Sequence, residues 1–379
     1  MVSLAFGGIN LKVNGGLMRS IRVNLKKRSY EVVIGENIIP SLGIRLKKMG
    51  IGDHAYMITN SKLKRRYADK VIAILKKSGF SVKVKTIPDT ERSKSIAVLS
   101  AVINDLAKSD LRKRTFILSL GGGVVGDLSG FVASIYKRGI PYIQVPTTLL
   151  AQVDSAIGGK TAVDLEEGKN LVGAFYQPSL VFSDVALLKS LDIRQVRTGL
   201  AEIIKYGVIK DAAFFSYLEN NLKSILKLNP KILEFIVARS SKIKAEIVSI
   251  DEREEKGIRT ILNFGHTIGH AIEAATGYRR YTHGEAVSLG MLVALDISEE
   301  LGFISKSLLK RVESLIESAG LPLVIKSVSL KSILSASQRD KKFIGAKNKF
   351  VLVTGLGKTK IVENLSLRIV KQAIKRRLG

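Results

Sequence analysis

The chain reads as two architectures in series: an N-terminal Rossmann-like α/β half with a doubly wound, mostly parallel sheet, then a mainly helical C-terminal half. Three observations predict this. Between residues 20 and 184, short β-branched runs alternate with amphipathic stretches of helical length, the pattern of strands joined by helical crossovers. After residue 184, apolar residues recur three and four apart with little interruption, which is the helical period. Between the two patterns of the first half, Ser119-Leu120-Gly121-Gly122-Gly123-Val124-Val125-Gly126-Asp127 follows a strand-like run and opens a helix-like one.

Taken in order, strands are predicted at 30–34 (YEVVI), 55–59 (AYMIT), 81–87 (SVKVKTI), 115–120 (TFILSL), 142–145 (YIQV) and 180–183 (LVFS), each rich in β-branched or aromatic residues. Residues 63–78 and 94–108 carry the helical period between them. In the second half, helices are predicted at 198–210, 212–227, 231–249, 267–275, 284–301, 307–319 and 367–377. A late hairpin, 349–353 with 358–362, interrupts them. The segmentation expected is residues 1–20 as an extension of unknown role, 21–190 as an α/β domain and 191–379 as a helical domain. No internal repeat points to a solenoid.

Composition bounds the function. With 379 residues, 46% hydrophobic and 25% charged, the chain has the makeup of a globular protein with two or three domains, and global disorder is excluded. Cysteine is absent, so there is no thiolate nucleophile and no cysteine-held metal; any metal must be held by His and carboxylates. That usage fits a reducing, cytoplasmic setting. The longest apolar stretch, 286–295, is about half of what a membrane-spanning helix needs. The N-terminus, with no early cationic region and paired glycines, does not read as a signal peptide.

The formal charge of +28 attracts anions of every kind. Its distribution decides among them: basic residues are scattered along the chain, no block reaches the length of a basic arm, and the 6% aromatics do not interleave with them. A solvated basic surface is expected, with no specific nucleic acid as partner.

Four segments can carry chemistry. The three consecutive glycines, Gly121 to Gly123, let a backbone approach a ligand closely, and the helix they open offers unpaired N–H groups to a pyrophosphate; a plain strand-to-helix turn uses glycine too. VPTTLLAQVDSAIGGKTAVDLEEGKNLVGAF sets Thr147, Thr148, Asp154, Lys160, Lys169 and Asn170 among glycines and apolar residues, as a flexible turn whose lysines suit phosphate oxygens. Three of the four histidines, His266, His270 and His283, fall in NFGHTIGHAIEAATGYRRYTHGE. His266 and His270 share a helical face, and imidazole is the commonest zinc ligand, although histidine pairs also serve as core or surface polar residues. In GLAEIIKYG, Glu202 sits among apolar residues with Lys205 one turn on; if buried, this carboxylate needs a metal or a lysine as partner.

Together these segments closely resemble the 3-dehydroquinate synthase family. The matching text, in family order, is PDTERSKS, GGGVVGDLSGFVAS, KRGIPYIQVPTTLLAQVDSAIGGKTAVD, GKNLVGAFYQP, GLAEIIKYG, DERE, GIRTILNFGHTIGHAIE, HGEAVSLGM and RDKK, over roughly residues 25–375. The resemblance implies an NAD- and metal-dependent carbon–oxygen lyase that turns 3-deoxy-D-arabino-heptulosonate 7-phosphate into 3-dehydroquinate and phosphate. It implies zinc or cobalt on Glu202, His266 and His283. Dinucleotide contacts carry over to Glu91, Lys94, Gly122, Gly123, Val124, Asp127, Thr147, Thr148, Lys160, Lys169, Asn170, Leu187, Ser190 and Leu191. Substrate contacts carry over to Asp154, Lys160, Asn170, Lys205, Lys244, Arg259, Asn263, His270 and Lys341. Arg138 matches the family arginine that reaches the neighbouring subunit's phosphate site, which implies a homodimer.

The chain departs from the family pattern after the second strand, where Asn60 and Lys62 stand in place of an acid and a following Asn. The choice between NAD and NADP stays open at this point. The first twenty residues match nothing in the family. Competing readings are a sibling sugar-phosphate cyclase whose substrate lacks the carboxylate, a metal-dependent polyol or glycerol-phosphate dehydrogenase, and a nucleic-acid-binding protein.

Overall fold

The computed structural model describes residues 9–13, 16–338 and 348–379. The chain divides into two compact units, Met1–Leu191 with Pro230–Glu252, and Asp192–Asn229 with Arg253–Gly379.

The first unit is built on an eight-stranded sheet. Its strands are β1 (Ile9–Val13), β2 (Gly16–Val23), β3 (Tyr30–Gly35), β4 (His54–Asn60), β5 (Ser81–Ile87), β6 (Thr115–Gly121), β7 (Tyr142–Pro146) and β10 (Leu180–Asp184), the last following the separate hairpin β8 (Lys160–Leu165) and β9 (Gly168–Phe175). The spatial order is β1-β2-β3-β10-β7-β6-β4-β5. From β3 to β5 every pairing is parallel; β1 and β2 add an antiparallel edge. Helices α1 (Leu42–Met49), α2 (Ser61–Leu63), α3 (Asp69–Lys77), α4 (Ile96–Ser109) and α5 (Gly123–Ile135) connect the strands.

Burial follows from this layering. All seven residues of β4 are buried because it has a strand on each side and a packed layer on each face. Its alternate side chains enter two separate clusters: Ala55 and Met57 with Leu75, Phe116 and Leu118, and Tyr56 and Ile58 with Val102, Ile117 and Leu128. Strand β5 lies at the sheet edge and only Ile87 in it is buried, with Val82 and Val84 half-buried and Lys83 exposed, which suits its Val/Lys alternation.

The second unit contains α6 (Ile193–Lys210) and α7 (Ala212–Leu226); after them α8 (Pro230–Ile250) packs with the first unit. It continues with α9 (His266–Ala275), α10 (His283–Glu300), α11 (Lys306–Ser318), α12 (Leu330–Gln338), the hairpin β11 (Lys349–Gly355) and β12 (Lys358–Glu363), and α13 (Leu367–Arg377). Among the described residues, no helix is long and apolar enough to cross a membrane.

The α/β-then-helical class is as expected, and the predicted strands lie within β3 to β7 and β10. Three details differ. The division expected at 190/191 is crossed by α8, whose partners include β2 and β3, so a helical period alone did not reveal to which unit that helix belongs. Residues 9–13 and 16–23, expected up to residue 20 only as an extension of unknown role, pair through their backbones to widen the sheet. Of the stretch read as a flexible turn, residues 160–175 form the β8/β9 hairpin. Gly173 makes that pairing possible, since a side chain there would meet the Thr161 carbonyl at 2.1 Å.

Candidate functional site

Within the parallel part of the first unit's sheet, the strand order reverses direction between β4 and β6. Strands β4, β5, β6, β7 and β10 lie as β5-β4-β6-β7-β10, so successive crossovers leave in opposite directions from between β4 and β6. Open α/β sheets bind ligands outside the carboxyl ends of the strands at such a switch point. Here that place is bordered by Asn60, at the end of β4, and by the glycine turn after β6. Gly122, which caps α5, and Gly123 and Val124 in its first turn are all partly exposed. A side chain on Gly122 would press on Thr148 at 3.0 Å, and one on Gly123 would press on Ser155 at 3.2 Å. The backbone amides of the α5 N-terminus therefore stay open to an anion.

Around this turn the structure gathers several predicted residues. Lys94, buried, donates to Asp127 at 2.8 Å and to the Asn170 side-chain oxygen at 2.5 Å. Burial opposes its charge, but the carboxylates of Asp127 and Glu91 outweigh it and hold the ammonium above its usual range. Lys169 pairs with Glu91 at 3.2 Å. Asn170 takes a left-handed backbone at the β8/β9 turn, with its N–H on Asp164 at 2.8 Å. The Thr147 N–H bonds to the Gly121 carbonyl, and the Thr148 hydroxyl accepts from the Ala151 N–H. Leu187 and Ser190 lie in the turn Val185–Ser190, capped by Leu191. There Tyr67 donates to the Leu187 carbonyl, and Arg66 donates to that of Ser190. Asn60 caps the helix that follows it and donates to Asp89 at 2.8 Å, while Lys62 pairs with the other Asp89 oxygen at 3.1 Å. Both residues that depart from the family pattern after β4 therefore meet at Asp89.

Also in this unit, Lys244 on α8 donates to both the carbonyl and the carboxylate of Asp154, at 2.8 and 2.7 Å. Lys160 starts β8 and is exposed. Arg138 is exposed on a turn in which it and Lys137 both have positive φ. That turn is held by Asp110, which accepts from Tyr136 and pairs with Lys137.

In the second unit, α6, α9 and α10 bring Glu202, His266 and His283 together, with one ligand atom from each within 4.8 Å of the others. Helix α6 fully buries Glu202 and ion-pairs it with Lys205. The Nε2 atoms of His266 and His283 lie 3.5 and 3.7 Å from the same Glu202 oxygen. Their other nitrogens are held elsewhere: His266 Nδ1 by the Phe264 carbonyl at 3.1 Å, His283 Nδ1 by Glu273 at 3.3 Å. Burial disfavours a charged His283, but hydrogen bonds to Glu202 and Glu273 prevail and push it up to about 10 in the metal-free chain. A divalent cation in place of that proton satisfies the same carboxylate, so one carboxylate and two imidazoles suit such an ion.

Close helix packing makes the cluster possible. Gly290 of α10 lies so near α9 that a side chain there would meet the Gly265 carbonyl at 1.9 Å. A capping box between Thr282 and Glu285 starts α10 at His283 itself. His270 is adjacent, its ring centroid 5.3 Å from that of His266, and belongs to a second possible donor group with Glu273 and His283. Lys205 also donates to the Leu262 carbonyl at 2.8 Å, Asn263 donates to Glu254 at 2.5 Å, and Arg259 is buried at the start of the turn Arg259–Asn263. Lys341 lies outside the described residues. Sequence reasoning passed over Glu273, Asp164 and Asp89. For Glu273 a signal existed, since it lies three residues after His270 and seven after His266, on the same helical face.

The family description "3-dehydroquinate synthase N-terminal" matches residues 84–198, and "3-dehydroquinate synthase C-terminal" matches residues 199–343. A 3-dehydroquinate synthase from Caldanaerobacter subterraneus subsp. tengcongensis is 48% identical over 345 residues, covering 91% of this chain and 97% of the relative. One from Thermodesulfovibrio yellowstonii is 46% identical over 362 residues, covering 94% and 99%. Among solved structures, 2-deoxy-scyllo-inosose synthase complexed with carbaglucose-6-phosphate, NAD+ and Co2+ superposes with a TM-score of 0.86 at 28% identity, covering 95% of this chain and all of that one. The 2-epi-5-epi-valiolone synthase of Streptomyces hygroscopicus, with NAD+ and Zn2+ bound, gives 0.85 at 26%, covering 93% and 97%. With both family descriptions matched end to end, and near-half identity across almost the whole chain, this protein belongs to the 3-dehydroquinate synthase family.

Proposed function

We propose that the chain converts 3-deoxy-D-arabino-heptulosonate 7-phosphate to 3-dehydroquinate and phosphate, using NAD and one zinc or cobalt ion. The observation that carries this reading is the convergence of Glu202, His266 and His283 in a chain 45–48% identical to curated 3-dehydroquinate synthases. The sibling cyclases are more distant, at 26–28%.

Glu202, His266 and His283 would hold the metal, whose chemistry when bound is to polarise vicinal substrate oxygens. NAD supplies a hydride acceptor that returns the hydride within the same turnover. The amides at the α5 N-terminus, with Gly122, Gly123, Val124, Thr147 and Thr148, are suited to the dinucleotide's phosphates. The Lys94–Asp127–Asn170 network, with Lys169 on Glu91, keeps the β8/β9 turn in place beside them. Asn60, Leu187, Ser190 and Leu191 line the remaining cofactor contacts in this reading. Toward the substrate, Arg259 offers a planar fork for the carboxylate and Lys160, Lys244 and Lys341 offer point charges for anionic oxygens. Asp154 orients Lys244, and Lys205 holds Glu202 while it offsets that carboxylate's charge. Asn263 and His270 complete the polar set.

The domain roles follow: residues 21–190 bind dinucleotide, and the helical part binds metal and substrate. The same reading makes the enzyme a cytoplasmic homodimer in which Arg138 serves the partner's phosphate. The first unit leaves Ile135, Leu165, Leu171 and Phe175 exposed, at the end of α5 and along the β8/β9 hairpin, which suits a second copy. Sedimentation at twice the chain mass is the expected result.

The deciding experiment supplies heptulosonate phosphate, zinc and a trace of NAD. Phosphate should be released in large excess over NAD, with no net NADH. NADH rising to the amount of NAD supplied, with no phosphate released, would instead point to a simple dehydrogenase, and one NADH left behind per phosphate would overturn the cyclase reading.

A further inference from the structure

The two imidazoles aimed at Glu202 are anchored differently. His266 Nδ1 meets a backbone carbonyl, a neutral acceptor that comes with the turn before α9. His283 Nδ1 meets the carboxylate of Glu273, an ionisable side chain that is only 5% exposed. Burying a carboxylate is costly unless something nearby needs its charge. Here something does. A divalent ion on Glu202, His266 and His283 would face one ligand carboxylate, and that carboxylate already has the Lys205 ammonium beside it. Without Glu273 the pocket would carry two positive charges in excess; with it, one.

We infer that Glu273 is a positioning residue for the metal: it holds His283 in the tautomer protonated on Nδ1, so that Nε2 faces the ion, and it lends negative charge to that ligand through the ring. This rests on the reading of Glu202, His266 and His283 as the metal-binding set. Helix geometry makes the arrangement self-consistent. Glu273 is two turns along α9 from His266, so one helix supplies a ligand directly and restrains another ligand that arrives on α10. Carboxylates that orient a metal-bound histidine typically change metal affinity 10- to 100-fold when removed.

The test is metal affinity, measured apart from turnover. Apo-protein is titrated with zinc against a chromophoric chelator, for wild type, Glu273→Gln and Glu202→Ala. Gln keeps the shape and a weak acceptor but removes the charge. Glu273→Gln should bind zinc about 10- to 100-fold more weakly while its apo form unfolds at the wild-type temperature. Equal zinc affinity in a folded Glu273→Gln protein overturns the inference. Should that variant not fold, the wild type decides by itself: 15N spectra of histidine-labelled, zinc-loaded protein should show His283 protonated at Nδ1 and coordinated through Nε2. Coordination through Nδ1 overturns the inference. Failure of the underlying reading looks different, since the wild type would then bind less than one zinc per chain, or Glu202→Ala would bind it as tightly as wild type.

Discussion

Glu202 shows at the scale of one residue how burial dictates chemistry. A carboxylate with 0% exposure inside an apolar helix face must be compensated, and its surroundings supply an ammonium one turn away and two imidazoles from other elements. If those three donors form the ligand set, removing any one leaves two, too few for a stable catalytic site. Glu202→Ala, His266→Ala and His283→Ala should each fall from about one metal per chain to near zero after dialysis against a weak chelator, and lose nearly all phosphate release. His270→Ala should lose activity but keep its metal. Retention of metal by His283→Ala, or loss only in His270→Ala, would reverse the assignment. The histidine cluster and Glu202 were visible as candidates from residue type and spacing. Glu273 was not singled out, because a glutamate on a helix is ordinarily solvated and only the fold reveals that this one is buried against His283.

Among elements, the decisive contact in the second unit is that of α9 with α10. Glycines at 265, 269 and 290 let the two backbones approach so closely that any side chain at 290 must displace α9. Gly290→Ala should therefore cost about 1–3 kcal/mol, as overpacking of a close-packed interface does. Because α9 carries His266 and α10 begins at His283, zinc affinity should fall with it, and thermal unfolding together with zinc titration checks both. Wild-type values for both would mean that the helices can separate freely. Helical periodicity located α9 and α10 to within one residue at each end. It could not foresee the β8/β9 hairpin, whose lysines and glycines look like a loop until Lys94, Asp127 and Asp164 are seen to hold Asn170 in place.

For the molecule as a whole, the proposed dimer makes the sharpest claim. If Arg138 acts in the partner's site, inactive Arg138→Ala and inactive Lys160→Ala chains should complement when subunits exchange. Up to about a quarter of the wild-type activity is expected from random pairing of equal amounts, since half of the dimers are mixed and one of the two sites in each is intact. No recovery after verified exchange would confine each site to one chain. What the sequence by itself determined is the order of the parallel strands β3 to β7 and β10 and of most helices, the glycine turn opening α5, the absence of cysteine chemistry and the residue types available to a metal. These depend on periodicity and composition, which are local properties. Only the tertiary structure decided that β4 and β6 flank the switch point, that α8 packs with the first unit, that residues 9–13 and 16–23 widen the sheet, and that Glu273 stands behind His283. Those facts depend on which distant segments meet, and the pairing of buried surfaces and charges that settles this is absent from any single stretch of chain.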